Sequence, residues 1–476
     1  MFHRSSKYDK SNHPALPASF ARRRKWRLLV RTLFLSILTG GLYFGFSRAS
    51  GEQYASVDPR GLEFVQKMCN RFRKETEQPL GETDEHLHHF AAQQARAPLP
   101  EHWQLPHIEK EAPPDEGPID DAAWQHLPVK GVFYMVVRNE DIHSIRETMR
   151  SLEDRFNKYH RYPWVILSNE FLASKFRRYV SRVTTSRVYF GKIDPVAWDM
   201  PAWVSAARTE KAMRNMEAAH VYKGNSMQYR QRARYHSGFF FHHPLLQGVD
   251  YAWRVEAGSQ YTCDMDIDPF LQMRTNNKTV GFAISARELP DASRSLWPVT
   301  RQFMGAYPQY ILPDNQTVMP WIQDEAEEYN NCELWSNFAV VELAFFRSAS
   351  YQEYFQFLDR VGGFFYERWS EGTVHTLAMA MFLRRDQIQY FEEVGYDYLV
   401  ASHCPLTAKH APKCACDVEK SFVIRPESCT IDLLKYIDRD ALVETTNFIV
   451  DRLEADDLFN LGIGVTKHKK KLKRLQ

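Results

Sequence analysis

No glycine-rich phosphate loop of the P-loop or dinucleotide type occurs in this chain, so the commonest backbone cradles for a nucleoside phosphate are excluded. Paired Cys-x-x-Cys spacing is missing as well. The cysteine-rich end offers only Cys414-Ala415-Cys416, which does not fit a zinc ribbon. Nor is there an excess of one charge: 61 Lys and Arg stand against 59 Asp and Glu, a formal charge of +2, with the basic residues gathered at the two ends. Nucleic acid is therefore not an expected partner.

What the 476 residues do contain is apolar material, 44% hydrophobic and 14% aromatic, enough for a large core. One α/β catalytic domain of about 300 residues with appendages accounts for the length. Residues 1–27 are polar and end in a basic cluster, and 28–47 are apolar around Arg31, which fits an uncleaved signal anchor. The positive-inside rule then leaves 1–27 in the cytoplasm and everything after the anchor in a lumen. Residues 48–127 are charged and proline-bearing, as in a flexible stem.

Two further features agree with a lumenal setting. Four of the seven cysteines lie between Cys404 and Cys429, a density that suits disulfides and an oxidising compartment. The acceptor sequons Asn277-Lys278-Thr279 and Asn315-Gln316-Thr317 suit the same place.

From Lys130 the pattern becomes that of a folded domain, taken here as 128–430. A strand over Lys130–Asn139, an amphipathic helix over Ile142–Phe156 and a strand over Trp164–Ser168 open an α/β layer. Further strands are expected at Arg187–Phe190, Tyr251–Val255 and Val280–Ile284, and one helix at Ile431–Asp456 before a basic tail, in the segment 431–476. Asp264-Met265-Asp266 has the form of an Asp-x-Asp motif, whose carboxylates would suit a hard divalent cation.

The stretch from Cys332 to Tyr398 concentrates aromatics, carboxylates and His375, and reads as the floor of an active site. At that density most of its aromatics must be core. By itself His375, in an apolar helical run, reads as a hydrogen-bonded core histidine, while Glu367, Glu371, Glu392 and Glu393 read as solvated.

Several ordered segments carry a resemblance: Val136–Asn139, Tyr162-Pro163-Trp164, Ser237–Phe240, Tyr251–Glu256 (YAWRVE), Trp335–Phe338, Gly362–Trp369 (GGFFYERW), Val374-His375 and Cys404-Pro405. Together, from about Gly131 to Cys429, they resemble the fungal Golgi α-1,2-mannosyltransferases of glycosyltransferase family 15. That resemblance implies a GT-A type fold, a mixed sheet flanked by helices, in a single-pass type II membrane protein of the Golgi. It implies GDP-mannose as donor, an α-mannoside on a glycoprotein or glycolipid as acceptor, Mn2+ as cofactor, and an α-1,2 linkage made with retention. Carried over by position, Arg138 and Glu256 bind the donor, Glu256 and His375 hold the metal, and Tyr229 stands near the reacting centre.

Two positions depart from the family pattern. Ala257-Gly258 follows Glu256 where a Pro-Asp is usual, and Ala339 replaces the glutamate that would be the nucleophile. A covalent route through residue 339 is thereby excluded. Same-face attack, a displaced acid such as Glu342, or loss of catalysis remain, the last making the chain a silent glycan-binding or partner subunit. Ala233 replaces a cysteine usual in the family, which leaves Cys332 without its expected partner.

Overall fold

The computed structural model describes residues 118–460, apart from 325 and 408. The expected tail, anchor, most of the stem and the basic C-terminal end lie outside the described residues.

Gly131–Val136 is buried at every position and forms β1, the strand announced by its unbroken apolar run. The other strands are β2 (Trp164–Ser168), β3 (Val188–Lys192), β4 (Tyr251–Val255), β5 (Gln260–Tyr261), β6 (Val280–Phe282), β7 (Ser285–Arg287), β8 (Cys332–Leu334), β9 (Phe338–Glu342), β10 (Ile388–Tyr390), β11 (Tyr396–Tyr398) and β12 (Ala401–His403). Seven of them make one sheet in the order β10-β6-β9-β4-β1-β2-β3. β9 runs antiparallel to β4 and β6, and the remaining pairings are parallel. The sheet is mixed, as expected.

Both faces are covered, so its strands read as apolar runs rather than alternations. Phe133, Trp164, Trp253 and Phe270 pack on one side, with the helix α1 (Ile142–Leu152). On the other side lie three helices, α2 (Met227–Gly238), α3 (Ala349–Val361) and α4 (Glu371–Phe382). The buried Arg234 guanidinium of α2 makes two hydrogen bonds to Asp359 of α3, at 2.7 and 2.8 Å, so the two helices are joined by a paired charge.

Three expected boundaries move. α1 stops at Leu152 and gives way to a π-helical turn, Glu153–Asn157, because the buried Glu153 carboxylate accepts from Trp164 Nε1 and Asn157 Nδ2, each at 2.7 Å. The folded domain starts before residue 128: Ile119, Ala123 and Trp124 are buried, and Trp124 Nε1 donates to the Gly131 carbonyl at 2.9 Å. It also extends past 430. The single C-terminal helix is in fact two, α5 (Thr430–Ile437) and α6 (Arg439–Asn460), broken at the extended residue Asp438, and Ile431, Leu433, Leu434 and Leu442 join the core.

Cysteine pairing also differs from expectation. Cys332 is bonded to Cys429, beside Cys263–Cys414 and Cys404–Cys416, and the seventh cysteine, Cys69, lies outside the described residues. Cys332 opens β8 and Cys429 stands at the N-terminus of α5, so this bond ties the C-terminal helices to the two-stranded β7–β8 ribbon across 97 residues. Replacing both by alanine is expected to cost about 2–5 kcal/mol, as for a long closed loop. Thermal melts of the double variant against the parent check this; an unchanged melting temperature contradicts it.

Candidate active site

β1 has β2 on one side and β4 on the other, so the chain changes direction across the sheet at the β1–β4 crevice. Ligands of open α/β sheets bind outside the carboxyl ends of the strands at such a point. Here that position is a cavity of about 420 Å³, and Arg138, two residues past β1, and Glu256, one past β4, both line it.

Three further segments complete the walls. Gln228, Tyr229 and Arg232 reach in from the first turns of α2, three and four residues apart and hence on one helical face. The Ser226 side chain caps that helix, accepting from Tyr229 N at 3.1 Å, and lines the cavity too. Trp335, Ser336 and Asn337 enter from the β8–β9 loop, and Ser370 and Glu371 from the start of α4.

An ion network crosses the floor. Arg254 of β4, with only 5% of its side chain exposed, donates Nη1 to Glu371 at 2.7 Å and reaches Glu256 Oε2 through Nη2 at 3.4 Å. Ser336 Oγ donates to the same Glu371 oxygen at 3.0 Å. Arg232 closes the network by donating to Glu256 Oε2 at 2.7 Å while remaining 28% exposed to the cavity. Burial alone would raise the Glu371 pKa, but the Arg254 charge and hydrogen bond outweigh it and hold the carboxyl at about 2. Arg254 answers oppositely: burial lowers its pKa, and Glu371, Tyr134 and Glu256 raise it further than burial lowers it.

The expected site residues separate into two groups. Arg138, Tyr229 and Glu256 meet in the cavity. Burial pushes the Tyr229 phenol well above its ordinary pKa despite the Arg368 guanidinium 4.7 Å from its ring, so it stays protonated and can donate. Glu342 does not line the cavity: its Oε2 accepts from Thr279, and it pairs with Tyr251 at the far end of β9. An odd residue spacing along the strand turns it to the face opposite residue 339, so it is no displaced nucleophile.

His375, expected as a metal ligand, is not among the residues that line the cavity. It lies behind the cavity wall, where Phe346 packs 4.9 Å from its ring and Nε2 is 3.1 Å from the His236 carbonyl. Burial brings its pKa down to about 4, with Arg254 assisting against Glu371. Its ring lines a small adjoining cavity, and Ser336 lines both that cavity and the main one.

Other expectations change for physical reasons. Asp264 pairs with Arg155 at 2.7 Å, Asp266 pairs with Lys413, and neither lines the cavity, so the Asp-x-Asp motif is a surface feature. Glu367, Glu371 and Glu392 are buried rather than solvated, and each is held by donors: Glu367 by Trp369 Nε1, Glu371 by Arg254, Glu392 by backbone amides at 406 and 407. Gly258, in the turn after Glu256, adopts φ +90°, a conformation that favours glycine. Ala339 faces a small apolar cavity with Phe346 and His375.

Sequence reasoning missed Arg232, Arg254 and Glu333 as site residues. A helical period would have placed Arg232 one turn from Tyr229. Nothing local marks Glu333.

A family model for glycolipid 2-alpha-mannosyltransferase matches residues 90–439. The chain belongs to this family, glycosyltransferase family 15. Glycolipid 2-alpha-mannosyltransferase 1 of Candida albicans is 38% identical over 323 residues, 67% of this chain and 74% of that protein. Alpha-1,2 mannosyltransferase KTR1 of Saccharomyces cerevisiae is 38% identical over 304 residues, 63% of this chain and 77% of that one. Among solved structures, core-mannan synthase A of Aspergillus fumigatus in its Mn/GDP form has a TM-score of 0.62 at 30% identity, covering 65% of this chain and 86% of that one. The Saccharomyces cerevisiae mannosyltransferase Ktr4p in complex with GDP has a TM-score of 0.63 at 26% identity, covering 81% and 99%. The family 15 fold is thus GT-A type α/β.

Glu333 gives the site a measurable pH signature. Burial and the nearby Glu288 raise its pKa from 4.5 to about 8, against hydrogen bonds from Thr373 and Ser370. A carboxyl whose pKa is raised on folding contributes stability below its unfolded pKa, and that contribution disappears as pH rises through the folded one. Stability is therefore expected to fall between pH 4.5 and 8. In Glu333→Gln this part of the decline disappears; identical melting profiles for variant and parent across that range contradict it.

Proposed function

We propose that this protein transfers mannose from GDP-mannose to the 2-hydroxyl of an α-mannoside acceptor, with retention, in the building of N- or O-linked glycans or mannan. The single observation that carries this reading is the cavity at the β1–β4 crossing, where Arg138, Arg232, Arg254 and Glu256 converge in a family 15 chain. Two guanidinium groups on one carboxylate, with Arg138 lining the same cavity, suit a diphosphate leaving group.

With alanine at 339 the reaction proceeds on one face of the sugar. The bond from the anomeric carbon to the β-phosphate oxygen breaks, and the acceptor oxygen bonds to that carbon from the same side. The acceptor proton passes to the departing phosphate oxygen, leaving GDP and the extended glycan. The guanidinium groups balance charge gathering on the diphosphate, and the protonated Tyr229 donates a hydrogen bond in the cavity.

The residues present fit a divalent cation. Both arginine contacts of Glu256 fall on Oε2, so Oε1 has no protein hydrogen bond among the described residues and is available as a hard oxygen ligand. Glu256 would hold Mn2+, which would supply charge neutralisation of the diphosphate. A catalytically silent role has no support among the relatives, whose names are those of mannosyltransferases.

The test uses the purified full-length protein with GDP-mannose, Mn2+ and α-methylmannoside. An α-1,2-linked disaccharide is expected, and Glu256→Ala should lower turnover at least about a hundredfold, the scale of losing one preorganised electrostatic group. Absence of product from the parent protein overturns the reading.

The chain acts as a type II protein of the Golgi membrane, with the described domain in the lumen. Support comes from the apolar run 28–47, the three disulfides, and the exposure of both sequon asparagines, Asn277 and Asn315. No described helix is long and apolar enough to cross a membrane, and 28–47 lies outside the described residues. Endoglycosidase treatment of the protein from intact cells should increase its gel mobility, and Asn277→Gln with Asn315→Gln should abolish that change. A protein that is accessible to cytosolic protease along its whole length contradicts this topology.

A further inference from the structure

We propose that Arg232 is a built-in cation of the diphosphate subsite, giving this chain a metal-independent hold on GDP. The inference rests on the donor reading above and goes beyond it. Among the described residues, the one trio of closely spaced His, Cys, Asp or Glu donor atoms is Cys263, Cys414 and Cys416, all in disulfides and none in the cavity. At the cavity two guanidinium groups, Arg232 and Arg254, stand on one oxygen of Glu256, Oε2, and the other oxygen stays open to a cation.

The two arginines are placed for different tasks. Arg254 is buried and committed to Glu371 at 2.7 Å. Arg232 is 28% exposed, projects from the α2 face that also carries Tyr229, and contacts Glu256 through Nη2 alone, with Nε 3.5 Å from His236. A guanidinium presents five N–H donors in a fixed fork, so one that touches a carboxylate through a single nitrogen keeps donors for a second anion. A diphosphate entering the cavity meets that group beside Arg138. No release of the Glu256 contact is required.

The measurement is GDP binding to the full-length protein by calorimetry, with chelator and then with Mn2+, in parallel with guanosine. The parent is expected to bind GDP in chelator. Arg232→Met should weaken that binding about tenfold or more, the scale of one charge-assisted contact, with guanosine binding unchanged and with a smaller loss when Mn2+ is present. Arg232→Lys should recover part of the loss. If the parent binds GDP only with Mn2+, or if Arg232→Met binds it in chelator as the parent does, the proposal is overturned and the donor reading stands. If the parent binds GDP under neither condition, both are overturned.

Discussion

Arg254 is the charge on which the site depends. It projects from β4, the central strand, into surroundings that leave 5% of its side chain exposed, and a guanidinium in that position is tolerable only if its donors are answered by negative charge. Glu371 answers from α4 and Glu256 from the strand's own end. Removing a single partner from such a group typically costs several kcal/mol, because the remaining charge is left buried and unpaired. The network therefore fixes the register of α4 against the sheet as well as the electrostatics of the cavity. Ser336 on Glu371 extends the constraint to the β8–β9 loop.

Helix α2 is held by a second buried pair, Arg234 with Asp359, and by Arg230, whose Nε donates to the Glu367 carbonyl at 3.0 Å. Those anchors face away from the cavity, while Gln228, Tyr229 and Arg232 face into it. One short helix thus buries two arginines for structure and offers a third to the site. Preorganisation of this kind matters for a reaction whose leaving group carries its charge at one end, because donors already in place need not reorganise as that charge develops.

Much of this was legible in the chain. β1 and β2 are largely apolar runs bounded by polar turns, and a strand covered on both faces leaves that signature, which β4 shares apart from Arg254. Glu256 follows directly from the end of β4. The rest depended on contacts between residues far apart in sequence. Glu371 looked solvated because nothing near it reveals Arg254, 117 positions away. Cys332 looked unpaired because Ala233 stands where the family has a cysteine, and its partner Cys429 reaches it only through the packing of α5. The role given to His375 came from resemblance alone, since the contact of its Nε2 with the His236 carbonyl, 139 positions away, has no local signal. Exposed acids such as Asp264 and Asp266 imitate a metal motif until their basic partners, Arg155 and Lys413, are seen.

The two replaced carboxylates are losses of different kinds. At Gly258 the backbone has φ +90°, so an aspartate there would have to adopt a strained conformation. At Ala339 the backbone is an ordinary antiparallel strand, paired with Arg254, and only the side chain is short. A carboxylate at that position would share the strand face with Arg254, whose charge is already matched by Glu371 and Glu256. Adding a third anion would disturb a balanced network, and leaving it out removes the nucleophile of a two-step displacement. The chain keeps its charge balance without that nucleophile. This is the arrangement a one-step transfer on the sugar's own face requires: cations about the leaving group, and no carboxylate at 339 to form a glycosyl-enzyme bond.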